Sequence, residues 1–239
     1  MDKNLLDELT WPETYTKIAA SPVAFLPVGT QEAHGKFQPM GTDMYVAAAA
    51  GVLASRSTGG IVLHPLAYSF TGATNAFRGT VSIPMHLEME VIKAIVRNLW
   101  EQKFRAICVV SIHGPNDIPI MMAIRELFEY ERIVASYFNP YTFVDAGRYG
   151  CDSDSKEAAM CYAAMEILGL QACIPNFDAL ENEEGPALEL PGFQHLSTGY
   201  HYRHILQHMP SKKVDIATGR KMLQEASEAL AEQIGNLRE

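Results

Sequence analysis

The sequence predicts an α/β fold, a mostly parallel sheet between layers of helices, and three observations carry that expectation. Short apolar runs alternate with longer helical stretches along most of the 239 residues. The runs at 23–28 and 105–112 are apolar nearly throughout, as strands buried on both faces are. The stretches between them are spaced as helices, and neither a linker nor an internal repeat divides them. A chain of this length fits one unit, so residues 1–239 are expected to form a single domain.

Taken in order, residues 23–28 read as a strand closed by Gly29, and the Ala-rich stretch 44–55 as a helix that starts after Gly41-Thr42-Asp43. Residues 61–66 read as a second strand. Leu87, Met89, Val91, Ile92, Ile95, Val96 and Leu99 give 86–103 the period of an amphipathic helix. The clearest strand, 105–112, runs into His113-Gly114-Pro115-Asn116 and a helix over 118–130. Residues 133–137 and 142–144 are shorter strand candidates. Helices follow at 154–168 and 214–237, and 175–210 has no strong period and reads as loop. Such alternation implies right-handed βαβ units, with ligands bound beyond the carboxyl ends of the strands.

Composition excludes several function classes. A formal charge of −9 without a Lys/Arg cluster argues against a nucleic-acid partner. No apolar run approaches the roughly 18 residues of a membrane helix, and the opening residues lack a secretory pattern. Cys108, Cys151, Cys161 and Cys173 show no C-x-x-C spacing and read as reduced thiols, which makes the cytoplasm the expected location. No glycine-rich phosphate loop is present.

The polar residues at the expected strand ends point to a metal. Glu32 and His34 follow the first strand in a loop flanked by Gly29 and Gly35, and Asp43 ends the same connection. These are oxygen and imidazole donors of the kind Zn²⁺ or Mn²⁺ takes. Singly, each has a plainer role: Asp43 or Thr42 could cap the next helix, and Glu32 could be a solvated carboxylate. His113, at the end of the best strand, should project into the same crevice, and the convergence favours a metal centre. Asn116 suits a helix cap or a group that holds a ligand in place. Tyr68, Phe70, Asn75 and Phe77 are pocket candidates by position. His195, His201, His204 and His208 crowd the region before the last helix, and suit a substrate loop or a subunit interface.

Two segments resemble the creatininase family. Leu26-Pro-Val-Gly-Thr-Gln-Glu-Ala-His-Gly35, followed by Pro39-Met-Gly-Thr-Asp43, is similar to its first signature. Gly79-Thr-Val-Ser-Ile83 and His113-Gly-Pro-Asn116 resemble two further motifs, and the stretch from Met209-Pro-Ser to Gly219-Arg220 resembles its tail. The resemblance implies a three-layer α/β/α sandwich that binds two divalent ions (Zn²⁺, with Mn²⁺ or Fe²⁺ as alternatives), hydrolyses amide-type bonds and assembles as a homo-oligomer, often a hexamer. The implied ligands are Glu32, His34, the bridging Asp43, and His113.

The departures are informative. Ser111-Ile112 stands where the family has Asn-Gly, and Pro115 where its creatinine-hydrolysing members carry a metal-binding Glu. The family's His-Ala-Gly-x-x-Glu segment is matched by Asp152-Ser-Asp-Ser-Lys-Glu157, which keeps the Glu and puts Asp152 in place of the His. By that alignment Glu157 is a metal ligand and Asp152 a catalytic group, although Asp154-x-x-Glu157 also reads as a helix capping box. The function expected is metal-dependent hydrolysis of a small cyclic amide or formamide by a metal-activated water. Asp152 or a loop histidine such as His201 would protonate the leaving nitrogen. The alternatives are ring opening of a keto-cyclitol or similar diketone, and a non-catalytic module that binds a small molecule.

Overall fold

Four parallel strands form the centre of the molecule in a computed structural model that describes residues 3–35, 38–174 and 215–237. They are Val23–Pro27 (β1), Ile61–Val62 (β2), Ala106–Val110 (β3) and Ser136–Phe138 (β4), in the order β2-β1-β3-β4. β1 and β3 pair along their whole length, from Val23 beside Ala106 to Pro27 beside Val110. Side chains alternate across a strand, and here both faces are buried. Val23, Phe25, Ala106, Cys108 and Val110 enter one apolar cluster, and Ala24, Leu26, Ile107 and Val109 enter the other. Near-continuous apolar runs are what such double burial requires.

The helices divide between those two faces. Trp11–Ala20 (α1), Met85–Glu101 (α3) and Asp117–Glu131 (α4) flank the second cluster. Thr42–Thr58 (α2), Pro140–Phe143 (α5), Ser153–Ile167 (α6) and Ile216–Asn236 (α7) flank the first. The result is the expected three-layer sandwich. The α2, α6 and α7 group is rich in alanine, including Ala47, Ala49, Ala50, Ala158, Ala163 and Ala164, so backbones approach closely. Gly219 of α7 marks the tightest point. A Cβ built there would lie 1.9 Å from the carbonyl oxygen of Ala159 in α6.

Several elements differ from the sequence-based expectation. The second strand pairs only over Ile61–Val62, because Pro65 has no N–H to offer the ladder; a single bridge, Val28 to Leu66, resumes it. Residues 142–144 are not a strand. Asn139 accepts the Thr142 N–H at 3.0 Å, and with Pro140 at the first position this starts the short helix α5 instead. The strand expected at 133–137 is displaced to Ser136–Phe138. Helix α1 was not anticipated, although Thr10 and Glu13 signal its start: Glu13 Oε2 accepts the Thr10 N–H at 2.7 Å. The expected loop at 175–210, with its four histidines, lies outside the described residues.

From β1 the chain passes to β2 on one side, and from β3 to β4 on the other. The carboxyl ends of β1 and β3 therefore flank the topological switch point, where a parallel sheet leaves a crevice between diverging loops.

Replacing Gly219 with alanine should test the tight α6–α7 approach. The added methyl has no rotamer to escape through, so the helices must separate, at a cost of about 1–3 kcal/mol. A thermal melt should show a fall of about 2–4 °C for each kcal/mol. An unchanged melting temperature would mean the helices are not held this close.

Candidate metal centre

Glu32, His34, Asp43 and His113 meet at that switch point, each no more than 5% exposed. Their convergence begins at Gly29. A Cβ on Gly29 would lie 2.5 Å from Met44 N, so glycine lets the end of β1 lie against the start of α2. The loop between them is thereby folded back on itself, with Glu32 N–H donating to Met40 O at 3.1 Å. Asp43 falls in the first turn of α2, where the helix macrodipole favours a carboxylate. Gly41, not Thr42 or Asp43, occupies the cap position, so neither side chain is needed as a cap.

Asp43 faces a different histidine through each oxygen. Oδ1 lies 3.3 Å from His34 Nε2, and Oδ2 lies 3.2 Å from His113 Nδ1. Oδ2 is buried and, apart from that ring nitrogen, has no partner among the described residues. Two groups of donor atoms result, each gathered within 4.8 Å: Glu32, Asp43 and His113 in one, His34, Asp43 and Glu157 in the other. Asp43 belongs to both. Glu32 Oε1 lies 3.0 Å from His113 Nδ1, and the Thr74 hydroxyl donates to Glu32 Oε2.

Each histidine has its outer nitrogen on a backbone carbonyl. His34 Nδ1 donates to Glu32 O at 3.1 Å, and His113 Nε2 donates to Phe70 O at 2.9 Å. A carbonyl can only accept, so these nitrogens carry the protons and the inward ones are available as donors to a cation.

Glu157, which the alignment brought forward, lines the crevice. Glu157 lies on the second turn of α6 and accepts from Gln38 Nε2 at 3.2 Å, across the crevice. The capping-box alternative fails, because Asp152 caps α6: its Oδ1 accepts the Ser155 N–H and its Oδ2 the Ser155 hydroxyl, both at 2.9 Å. Asp152 is not among the residues that line the crevice. His201 lies outside the described residues. Asn116 sits at the α4 cap position but makes no side-chain cap; its amide turns inward to Ser111 Oγ at 3.3 Å.

The crevice, about 190 Å³, is lined by the five donors together with Thr71, Thr74, Ile112, Gly114 and Pro115. Tyr68, Phe70, Asn75 and Phe77, expected by position, are not among its walls; Phe70 contributes its backbone instead. Sequence reasoning missed Gln38, Thr71 and Thr74, which are common polar residues in a loop and a short 3₁₀ turn. The structure gives the Gly79-Thr-Val-Ser segment a physical role. Thr80 Oγ1 accepts Ala33 N–H at 3.2 Å, Val81 N–H donates to Gln31 O at 3.0 Å, and Ser82 Oγ accepts Thr71 N–H at 3.1 Å. This strip stitches the Glu32 loop to the segment that supports His113.

Electrostatics follow from the burial. Burial disfavours charge on His34, yet Asp43, then Glu157 and Glu32, outweigh it and raise the imidazole to about 9. His113 is raised well above its ordinary value in the same way, by Asp43 and Glu32 against burial. Burial opposes the Asp43 charge too, but the two histidines hold its carboxyl far below the usual range. For the metal-free protein these shifts set a pH window. A histidine raised when folded contributes stability that is complete below about 6.5, its unfolded value, and is lost as pH rises through about 9. Thermal melts of metal-free protein should therefore fall progressively from pH 6.5 to 9. A flat or rising profile would show that the imidazoles are not ion-paired with Asp43.

Comparison with known proteins gives this geometry a context. The family model Creatininase, described as creatinine amidohydrolase, matches residues 7–167. No curated protein sequence matches the chain. Solved structures of similar fold include a creatininase variant of Zn–Zn type, 21% identical with a TM-score of 0.79, covering 98% of each chain. A structure described as creatininase Mn gives 21% identity and 0.78 over 98% of each chain. A creatinine amidohydrolase (creatininase) structure gives 21% and 0.76 over 99% of this chain and 98% of its own. With two thirds of its length matched by the family model and a shared fold around the converging donors, the chain belongs to the creatininase family of amidohydrolases.

Proposed function

We propose that the protein is a binuclear metal-dependent hydrolase of a small cyclic amide or formamide. One observation carries this reading: the buried Asp43 carboxylate is shared by two clusters of donors, one oxygen turned to each. The residues fit a pair of divalent ions. Asp43 Oδ2 is a buried acceptor with only the His113 ring nitrogen beside it among the described residues, and three carboxylates crowd two imidazoles where water is largely excluded. Without cations such a cluster is held only by protons on the histidines. Glu32, Asp43 and His113 would hold one ion, and His34, Asp43 and Glu157 the other. The related Zn–Zn and Mn structures support Zn²⁺ or Mn²⁺ as the metals, with Fe²⁺ as a further candidate.

Ions bound there would polarise the substrate carbonyl and lower the pKa of a water between them to near neutrality. The protein's own groups do the rest. The backbone carbonyls of Glu32 and Phe70 fix both imidazoles, Gln38 fixes Glu157, and Thr74 fixes Glu32, so the donors do not have to reorganise on binding. Ile112, Gly114 and Pro115 form an apolar wall that orients a small ring and excludes bulk water. His201 and Asp152 are the proposed proton donors to the leaving nitrogen, and Asp152 would have to release Ser155 to serve. Assembly as a homo-oligomer, hexameric as the family resemblance implies, and a cytoplasmic location complete the proposal. The exposed Trp11 and Tyr15 on α1 are consistent with an apolar contact between subunits.

Metal analysis tests the site directly. Purified protein should hold about two equivalents of divalent metal per chain. Asp43→Ala should lose most of both, and Glu157→Gln should retain about one, with turnover abolished and the fold intact. Full occupancy in the Asp43 variant would remove the shared carboxylate from the mechanism.

Pro115 bears on the substrate. A proline can neither ligate a metal nor donate a backbone N–H where creatinine-hydrolysing relatives place a carboxylate. Metal-loaded protein should therefore hydrolyse creatinine negligibly while acting measurably on another small cyclic amide or formamide. Creatinine turnover at ordinary enzymatic rates, about 1–10³ s⁻¹, would show that Pro115 excludes nothing.

A further inference from the structure

Glu88 is fully buried in the first turn of α3, and the chemistry above makes no use of it. Its Oε2 accepts the Phe70 N–H at 2.9 Å. Its Oε1 has no hydrogen-bond partner among the described residues. Burying a half-satisfied carboxyl is costly; burial pushes it up to about 7, while the Phe70 N–H and the nearby His113 favour its ionised form. An apolar side chain of similar size would avoid that cost but could not accept the Phe70 N–H, so the acceptor must do something that shape alone does not.

Its position indicates what. Phe70 offers two backbone groups to its surroundings: the N–H goes to Glu88, and the C=O accepts from His113 Nε2 at 2.9 Å. The residues on either side are tied elsewhere. Ser69 O accepts Ile83 N–H at 3.0 Å, and Thr71 N–H donates to Ser82 Oγ at 3.1 Å. Those two ties fix the ends of the segment but not the direction of its middle carbonyl. Glu88 supplies the third tie, at the residue whose carbonyl meets the imidazole. Without it the Phe70 N–H would be buried with no acceptor, and the backbone would turn to find one, taking the carbonyl away from the ring.

We infer that Glu88 is a positioning residue that acts through the backbone of Phe70, aiming the His113 ring so that Nδ1 faces Glu32 and Asp43. What the aimed nitrogen serves rests on the binuclear reading proposed above. The Phe70 carbonyl bonds the proposed ligand directly; loss of a partner at that remove commonly changes metal affinity by about 10–100-fold, and Glu88 acts through it.

Co²⁺ titration of metal-free protein tests the inference, with affinities from chelator competition and geometry from the visible absorption bands. Wild-type protein should bind two Co²⁺. Glu88→Ala should weaken one of them by about 10–100-fold and alter its bands, leaving the other near wild type. Glu88→Gln, which keeps an acceptor for the Phe70 N–H, should recover most of the loss. In a His113→Ala background, Glu88→Ala should add little, because a residue acting through His113 has nothing further to lose. Two Co²⁺ bound with wild-type affinity and spectrum in a folded Glu88→Ala protein would overturn the inference. Should that variant fail to fold, Glu88→Asp decides: its shorter reach should weaken the same ion, and wild-type binding would overturn the inference equally. The metal-free protein gives an independent readout. The His113 Nε2–H resonance, sheltered by the Phe70 carbonyl in wild type, should exchange faster with solvent in Glu88→Ala and near its normal rate in Glu88→Gln; unchanged exchange in Glu88→Ala also overturns the positioning role. Failure of wild-type protein to bind Co²⁺ at all, with that exchange difference present, would overturn the binuclear reading and leave the positioning of His113 standing.

Discussion

A carboxylate buried between two imidazoles is the constraint on which the rest of this structure depends. Asp43 is 1% exposed, and each of its oxygens faces a ring nitrogen that is itself shut away from water. Charges placed so deeply are tolerated only when every one has a counter-charge and a fixed direction. The fold supplies both by routing three separate connections to one point. The β1–α2 loop brings Glu32, His34 and Asp43, the end of β3 brings His113, and α6 brings Glu157 from the helix layer on one face of the sheet.

The order of strands explains why this point and no other. Between β1 and β3 successive connections leave the sheet in opposite directions, and there the loops diverge and leave the crevice. The apolar sequence of the two strands, spent entirely on the two helix layers, leaves the polar residues to accumulate just past their carboxyl ends. Fold and site are in this sense a single pattern: hydrophobic where the strands pair, ionisable where they stop.

Much of that pattern was legible in the sequence. Continuous apolar runs announced doubly buried strands, and Glu32, His34, Asp43 and His113 stood at their ends in recognisable spacing. Glu157 could be reached only through a family alignment, and a capping box competed for it; the backbone removes the capping box, because Asp152 holds Ser155 and leaves Glu157 one turn further on. Thr74, Gln38 and Glu88 were invisible for a different reason. Each acts across a long sequence separation, on a carboxylate or a peptide group, and nothing local marks a threonine or a glutamate as the far end of such a contact. Residues 142–144 misled through composition: β-branched and aromatic side chains suggested a strand, while the Asn139-Pro140 pair that starts a helix lay just before them. Helix α1 was marked by Thr10, Pro12 and Glu13, but it is short, none of its residues is fully buried, and its aromatic residues Trp11 and Tyr15 stand exposed.

The strip at residues 79–82 joins two parts of the chain that carry different burdens. It hydrogen-bonds the loop of Glu32 on one side and the segment beneath His113 on the other, so neither can shift without moving its counterpart. A disturbance at one rim of the crevice is thus carried to the other as a displacement of a common frame, in the way a truss spreads a load between its supports. The separation of Glu32 and His113, which belong to the same donor group, is governed by this frame rather than by either loop alone. Tolerance to sequence change should accordingly be distributed unevenly over the molecule: generous on the outer faces of the helices, and narrow along four unremarkable residues that do not line the crevice.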